Sequence, residues 1–309
     1  MRAKEKMKEI ANAVVESVIY HVKLVAFSIY YYDHCHNSVG YLAKKVNRWS
    51  SDVDHRFGKL GAKIVLWDIN TTGNEETQAL LQKNGVECYA YTVDLSQPEQ
   101  IYETAEKVKR EVGNVDILFN NAGVVTGKKL FESPDRLIQL TMDVNLNALF
   151  YTTKAFLPHM IEKDWGHIIT LASVAGHQGV AGLVDYCASK HGAVGFHESI
   201  HRELLHLKSQ VKTTCVSPYY IDTGMFKGVQ KSKINNLLPI LQPEYVVERI
   251  VDAVLTDRVH LYLPRFLYVA KVLNAFLPVE VSDLIFNHVG SDDTMNGFVG
   301  RGAPHAKAA

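Results

Sequence analysis

From residue 62 onward the chain alternates short, β-branched apolar runs with longer amphipathic stretches. That rhythm specifies parallel strands joined by crossover helices, because a parallel neighbour can be reached only by a long return connection. Strands are predicted at 62–67, 86–92, 115–119, 166–172 and 211–217, and helices at 73–84, 98–112, 134–162, 184–208 and 243–255. The fold class is therefore α/β: a doubly wound parallel sheet with helices on both faces. No repeat, low-complexity run or Pro/Gly linker divides residues 62–260, so one domain is expected. Its bounds are drawn at 58–290, with an atypical N-terminal segment at 1–57 and a tail at 291–309.

Charge and cysteine usage exclude several classes of function. Lys+Arg and Asp+Glu both number 33 in the 309 residues, which provides no basic excess for nucleic acid. The cysteines (Cys35, Cys88, Cys187 and Cys215) are scattered without a C-x-x-C pair, as suits a reducing compartment. His34-Cys35-His36 has no second ligand cluster nearby, so no metal site is predicted. The apolar stretch Val14–Tyr32 contains Glu16, His21 and Lys23, which would be costly at the centre of a bilayer. Apolar residues at 15, 18, 19, 22, 25, 26 and 29 share one helical face, predicting a helix lying in a membrane interface. A second mostly apolar stretch occupies 259–286.

The chemistry concentrates in DYCASKHGAVGFHESI, where Tyr186 and Lys190 project from one face of a helix. A phenol near pKa 10 is a poor acid–base group at neutral pH, and an adjacent ammonium is expected to lower that value. Ser173, at the end of HIITLAS, is placed to hold a substrate oxygen beside the phenol. DILFNNAGVV reads as a buried strand ending in Asn120-Asn121-Ala122-Gly123, small enough for a ligand to approach the backbone. Asn145 falls inside a long helix, where a buried amide either bonds another helix or distorts its own helix locally to hold water.

Together these motifs resemble the short-chain dehydrogenase/reductase family over about residues 61–280, at NNAG, Asn145, Ser173, Y-x-x-x-K and the segment Pro218, Ile221, Thr223. VLWDIN, KAFLPHM, GFHES and DTGMF are similar to its membrane-associated retinol dehydrogenases and the related 17-beta-hydroxysteroid dehydrogenases. The resemblance implies a Rossmann-like sheet and hydride transfer between a nicotinamide and a lipophilic alcohol, aldehyde or ketone. It implies Tyr186 as acid–base, Lys190 on the nicotinamide ribose, Ser173 on the substrate oxygen, and Asn145 holding a relay water. It places Asp94 and Leu95 by the adenine, Asn120, Ala122 and Gly123 along the adenosine, and Pro218, Ile221 and Thr223 over the nicotinamide. Asp68, closing VLWD, would accept from a ribose 2′-hydroxyl and repel a 2′-phosphate, so NAD is expected rather than NADP. The implied setting is an endoplasmic-reticulum or lipid-droplet surface with the catalytic domain facing the cytosol, and the implied protein partner is a second copy of the chain.

One departure is large. The family's T-G-x-x-x-G-x-G turn should precede Asp68's strand, yet Gly40 is the only glycine before Gly58. Ile29–Tyr32 and Val39–Leu42 are the candidates for the first-strand position, and neither leads into a glycine turn. The alternative function is therefore a binding protein that keeps the fold without the pyrophosphate loop.

Overall fold

The computed structural model describes residues 48–300. Helix α1 (Arg48–Lys59) leads into β1 (Ile64–Asp68), α2 (Thr71–Lys83), β2 (Cys88–Thr92), α3 (Pro98–Glu111) and β3 (Ile117–Asn120). Next come α4 (Asp135–Met142), a π-helical turn (Asp143–Asn147), α5 (Ala148–Glu162), β4 (His167–Leu171) and α6 (Val184–His206). The chain closes with β5 (Lys212–Pro218), α7 (Pro243–Leu255), β6 (His260–Leu263), α8 (Phe266–Phe276) and α9 (Val279–Val289).

Every strand pairing is parallel, in two sheets ordered β1-β2 and β3-β4-β5-β6. On one face, Leu118, Phe156, Met160, Ile168 and Leu204 form a core joined by Trp67 of β1, whose ring lies 5.7 Å from that of Phe156. On the other face, Ile169, Val216, Val246, Ile250 and Leu263 pack with Phe57 and Phe119. Phe57 also touches the core of Ile64, Leu66, Leu81 and Val86, so α1 spans both sheets on that side. Each large side chain fully buried in these cores contributes roughly 1.5–3 kcal/mol. The close approach of α1 depends on Gly58, where a Cβ would stand 2.4 Å from Val86.

All five predicted strands are present, displaced by a residue or two. The single helix expected at 134–162 is instead broken by the π turn at 143–147. The apolar stretch 259–286 resolves into β6 and the α8–α9 hairpin. The tail drawn at 291–309 is partly built in: Thr294 and Met295 are buried, Gln230 N donates to Thr294 O at 2.8 Å, and Val299 N donates to Lys227 O at 2.8 Å. The interfacial helix at 14–32 and His34-Cys35-His36 lie outside the described residues. Among the described residues no helix is long and apolar enough to cross a membrane.

Candidate active site

The site lies at the carboxyl ends of the strands, where a parallel sheet gathers its loops. Helix α6 carries Tyr186 and Lys190 one turn apart, both buried, with the Lys190 Nζ 5.8 Å from the phenol ring centroid. Ser173 follows β4 and caps the short turn Val174–Gly176, its Oγ accepting from Ala175 N at 3.2 Å. The Ser173 hydroxyl also reaches Pro218 O at 3.5 Å. Gly176 allows that turn to press on α6, since a Cβ there would meet the Lys190 carbonyl oxygen at 2.6 Å. Lys190 Nζ donates to Leu171 O at 2.8 Å, which aims the ammonium across the end of β4.

Asn145 sits in the π turn and is almost fully buried. Its Oδ1 accepts from Val124 N at 2.8 Å, and its Nδ2 donates to Val124 O at 2.9 Å and to Ser189 Oγ at 3.0 Å. The local distortion that a helix-interior amide predicts is thus present, and the amide spends its bonds tying the loop after β3 to α6. π turns commonly mark functional positions for this reason.

Burial governs the ionisations. It lowers Lys190 to about 8, partly opposed by nearby Cys215. It pushes the Tyr186 phenol well above its ordinary range, opposed by the Ser173 hydroxyl. In the free pocket burial is the largest influence on the phenol, whose ring centroid lies 5.8 Å from the Lys190 Nζ. Burial therefore favours the protonated phenol. His177, which bonds Ser217 Oγ at 3.0 Å, is kept neutral by burial, at about 4.

A cavity of about 210 Å³ brings together Asp68, Asn121, Ala122, Gly123, Ser173, Tyr186, Lys190, Pro218, Ile221 and Thr223. Asn145, Asp94, Leu95 and Asn120 are not on its wall. Asp94 Oδ1 accepts from Ser96 N at 2.9 Å and Ser96 Oγ at 2.7 Å, Leu95 packs with Val93 and Ile101, and Asn120 Oδ1 accepts from Thr152 Oγ1 at 2.8 Å. The wall also includes residues not singled out from sequence, among them Asn121, Tyr219, Tyr220, Phe226, Ser291 and Thr294. Only Asn121 had a signal, its place inside NNAG. A second cavity, of about 360 Å³, shares Val174, Gln178, Tyr219 and Ser291 with the first. Its remaining wall is mostly apolar, from Ile234, Leu237, Leu238, Phe266, Leu267 and Phe286, with Lys271 bonding Tyr262 Oη at 2.7 Å.

The first cavity presents a carboxylate acceptor, Asp68, and the ammonium and hydroxyl donors of Lys190, Ser173 and Tyr186, groups that suit the polar parts of a dinucleotide. Gly123 also lines it, and a Cβ there would stand 3.5 Å from Asn145 Oδ1 and 3.8 Å from Lys190 Nζ. Among the described residues, no T-G-x-x-x-G-x-G turn provides backbone donors for the pyrophosphate.

Known proteins are similar to this chain in sequence and fold. The short chain dehydrogenase family matches residues 51–234. Epidermal retinol dehydrogenase 2 of Homo sapiens is 48% identical over 246 residues, covering 79% of each chain. Retinol dehydrogenase 10 of Homo sapiens is 43% identical over 270 residues, again 79% of each. A metagenomic short-chain oxidoreductase in complex with NADP superposes at a TM-score of 0.57 with 27% identity, over 69% of this chain and 89% of that one. A Burkholderia phymatum short-chain dehydrogenase/reductase in complex with NAD shares the fold at a TM-score of 0.66 and 24% identity, over 76% and 90%. With its parallel α/β layers and this breadth of match, the chain belongs to the short-chain dehydrogenase family of NAD(P)-dependent oxidoreductases.

Proposed function

We propose that the protein interconverts a lipophilic alcohol and its carbonyl, retinol and retinal first and hydroxysteroids as the neighbouring class, with NAD as cofactor. The observation that carries this reading is the meeting of Ser173, Tyr186 and Lys190 in a cleft that shares its wall with a larger apolar cavity. Ser173 would hold the substrate oxygen. Tyr186, kept protonated by burial, would donate to the oxygen during carbonyl reduction and take the proton back during oxidation. Lys190 would bond the nicotinamide ribose and stabilise the phenolate, and Asn145 would brace the loop between them and hold a relay water. A bound nicotinamide would supply the hydride chemistry. Asp68 would bond the adenosine ribose and disfavour a 2′-phosphate; Asp94 and Leu95 would serve the adenine, Asn120, Ala122 and Gly123 the adenosine, and Pro218, Ile221 and Thr223 the nicotinamide.

The setting belongs to the same proposal: an endoplasmic-reticulum or lipid-droplet surface, the domain facing the cytosol, and a homodimer. Exposed Val272, Phe276 and Val279 on the hairpin beside the apolar cavity support the lipid contact. A second reading, a binding protein without turnover, is favoured by the missing glycine turn. Titration of the full chain with NADH, followed by nicotinamide fluorescence, and retinal reduction assayed on vesicles separate the two. Micromolar binding with turnover supports the enzyme, whereas absent NADH binding sinks it. Each lost hydrogen bond to a charged phosphate oxygen costs roughly 1.5–3 kcal/mol, so losing two would weaken binding on the order of a hundredfold or more.

A further inference from the structure

The wall of the second cavity carries a single charge. Around its space of about 360 Å³ stand Leu238, Phe266, Leu267 and Phe286, with no Asp or Glu, and Lys271 is the sole Lys or Arg among the described residues that line it. Lys271 belongs to α8 and is exposed as a residue, yet its ammonium turns inward. The Nζ donates to Tyr262 Oη at 2.7 Å and lies 5.1 Å from the centroid of that ring, while Tyr262 itself is only 6% exposed. A surface lysine ordinarily lays its stem on apolar atoms and carries the ammonium out to water. Here the reverse holds.

Nothing nearby neutralises that charge. Among the described residues no Asp or Glu forms an ion pair with Lys271. The rings beside it are uncharged: burial first, and the Lys271 charge second, hold His177 at about 4, and the same two causes lower His260. An ammonium has three N–H donors, and Tyr262 takes one of them. Tyr262 Oη accepts that bond and keeps its own proton for a second acceptor. The pair therefore offers several donors and one positive charge on the wall of an apolar chamber. A carboxylate matches it, with two acceptor oxygens and one negative charge. A phosphate monoester would bring about two negative charges against one.

We propose that the second cavity binds a long-chain carboxylate, with its head group on Lys271 and Tyr262 and its tail among Leu238, Phe266 and Phe286. The cavity volume falls in the range of roughly 300–1,000 Å³ usual for small-molecule sites. Val174, Gln178, Tyr219 and Ser291 line both cavities, so the bound tail lies beside the catalytic cleft. A fatty acid and the acid of an oxidised polyene alcohol present the same head group and an apolar tail. Exposed Val272 and Phe276, on the same helix as Lys271, give such a molecule an apolar approach. The assignment shares with the proposed reaction only the apolar character of this cavity, and it needs neither cofactor nor turnover.

Direct binding to the full chain without cofactor tests it. The probe is cis-parinaric acid, whose fluorescence rises in an apolar site, compared with its uncharged methyl ester below the concentrations at which either aggregates. In the wild type the acid should bind about tenfold or more tighter than the ester, as a charge-assisted hydrogen bond provides. Lys271→Met should bring the acid down to the ester's affinity and leave the ester within about twofold, whereas Lys271→Arg should keep the preference. Equal binding of acid and ester in the wild type, no binding of either, or a preference that survives Lys271→Met overturns the proposal. If Lys271→Met loses both ligands, acid binding retained by Lys271→Arg supports the site, and acid binding lost there too overturns it. Palmitate and all-trans-retinoate as competitors distinguish the source: displacement by either supports the site and identifies the tail it accepts, and displacement by neither overturns it. Absent retinal reduction with the acid preference intact would strike the proposed reaction alone.

Discussion

Tyr186 is the residue on which the proposed chemistry turns, and burial favours its protonated form before any ligand arrives. Tyr186→Phe keeps the ring in its edge contact with Phe226, 5.7 Å between centroids, and removes only the hydroxyl. Turnover should fall by about two to four orders of magnitude, with NADH affinity unchanged within a few fold; turnover at the wild-type level would remove Tyr186 from the reaction. Asp68 also lines the cleft, its Oδ1 accepting from Asn70 N at 2.8 Å. Asp68→Arg replaces a repulsion of the 2′-phosphate with an attraction, so the ratio of NADP to NAD affinity should rise about tenfold or more, equivalent to at least ~1.4 kcal/mol. An unmoved ratio means that Asp68 does not face the ribose. Tyr186, Lys190, Ser173 and Asp68 were legible because spacing and strand ends point their side chains. Tyr219, Ser291 and Thr294 were not, because ordinary residues acquire a place in the cleft only when the chain brings 291–294 against 219–220.

At the scale of elements, the α8–α9 hairpin is the part that does not behave as a buried pair of helices. Phe276 is 83% exposed and Val279 71%, at the connection between helices that wall the apolar cavity. Such a patch needs a reason, and a lipid surface supplies one. The double variant Phe276→Glu, Val279→Glu should lose at least half of its co-sedimentation with phospholipid vesicles while keeping its melting temperature within a few degrees, as surface changes usually do. Retention of vesicle binding would assign the contact to the segment at 14–32. The π turn is the opposite case, an irregularity held by bonds. A run of helical periodicity predicts one helix over 134–162, and only the bonds from Asn145 to Val124 and Ser189 show that the helix must bulge. Periodicity registers which face is apolar; it carries no record of a side chain that pulls on a distant backbone.

For the whole molecule, buried ionisable groups set how stability depends on pH. His167 and His177 are held neutral at about 4 and His197 at about 3, each lowered chiefly by burial. Unfolded histidines protonate near 6.5, so their contribution is complete above that pH and is lost as pH falls from 6.5 toward 4. Asp54 works the other way: burial raises it to about 7, so its contribution is present below its unfolded value of 3.8 and lost as pH rises toward 7. His55 and His260 are also lowered chiefly by burial, so five histidines oppose Asp54 in this range and stability should fall with acidification. Urea midpoints measured at pH 7.5 and pH 5 test this, and an equal or higher midpoint at pH 5 would contradict it; His197→Leu should shallow the fall. By itself the sequence determined the α/β class, the order of five strands and the family, because each follows from local periodicity or from residues close along the chain. It also exposed the missing glycine turn. Only the tertiary structure decided that the apolar cavity adjoins the cleft holding Ser173, Tyr186 and Lys190, and that both Tyr186 and Lys190 are buried there. Those outcomes depend on distance and burial between segments far apart in sequence, which no local pattern encodes.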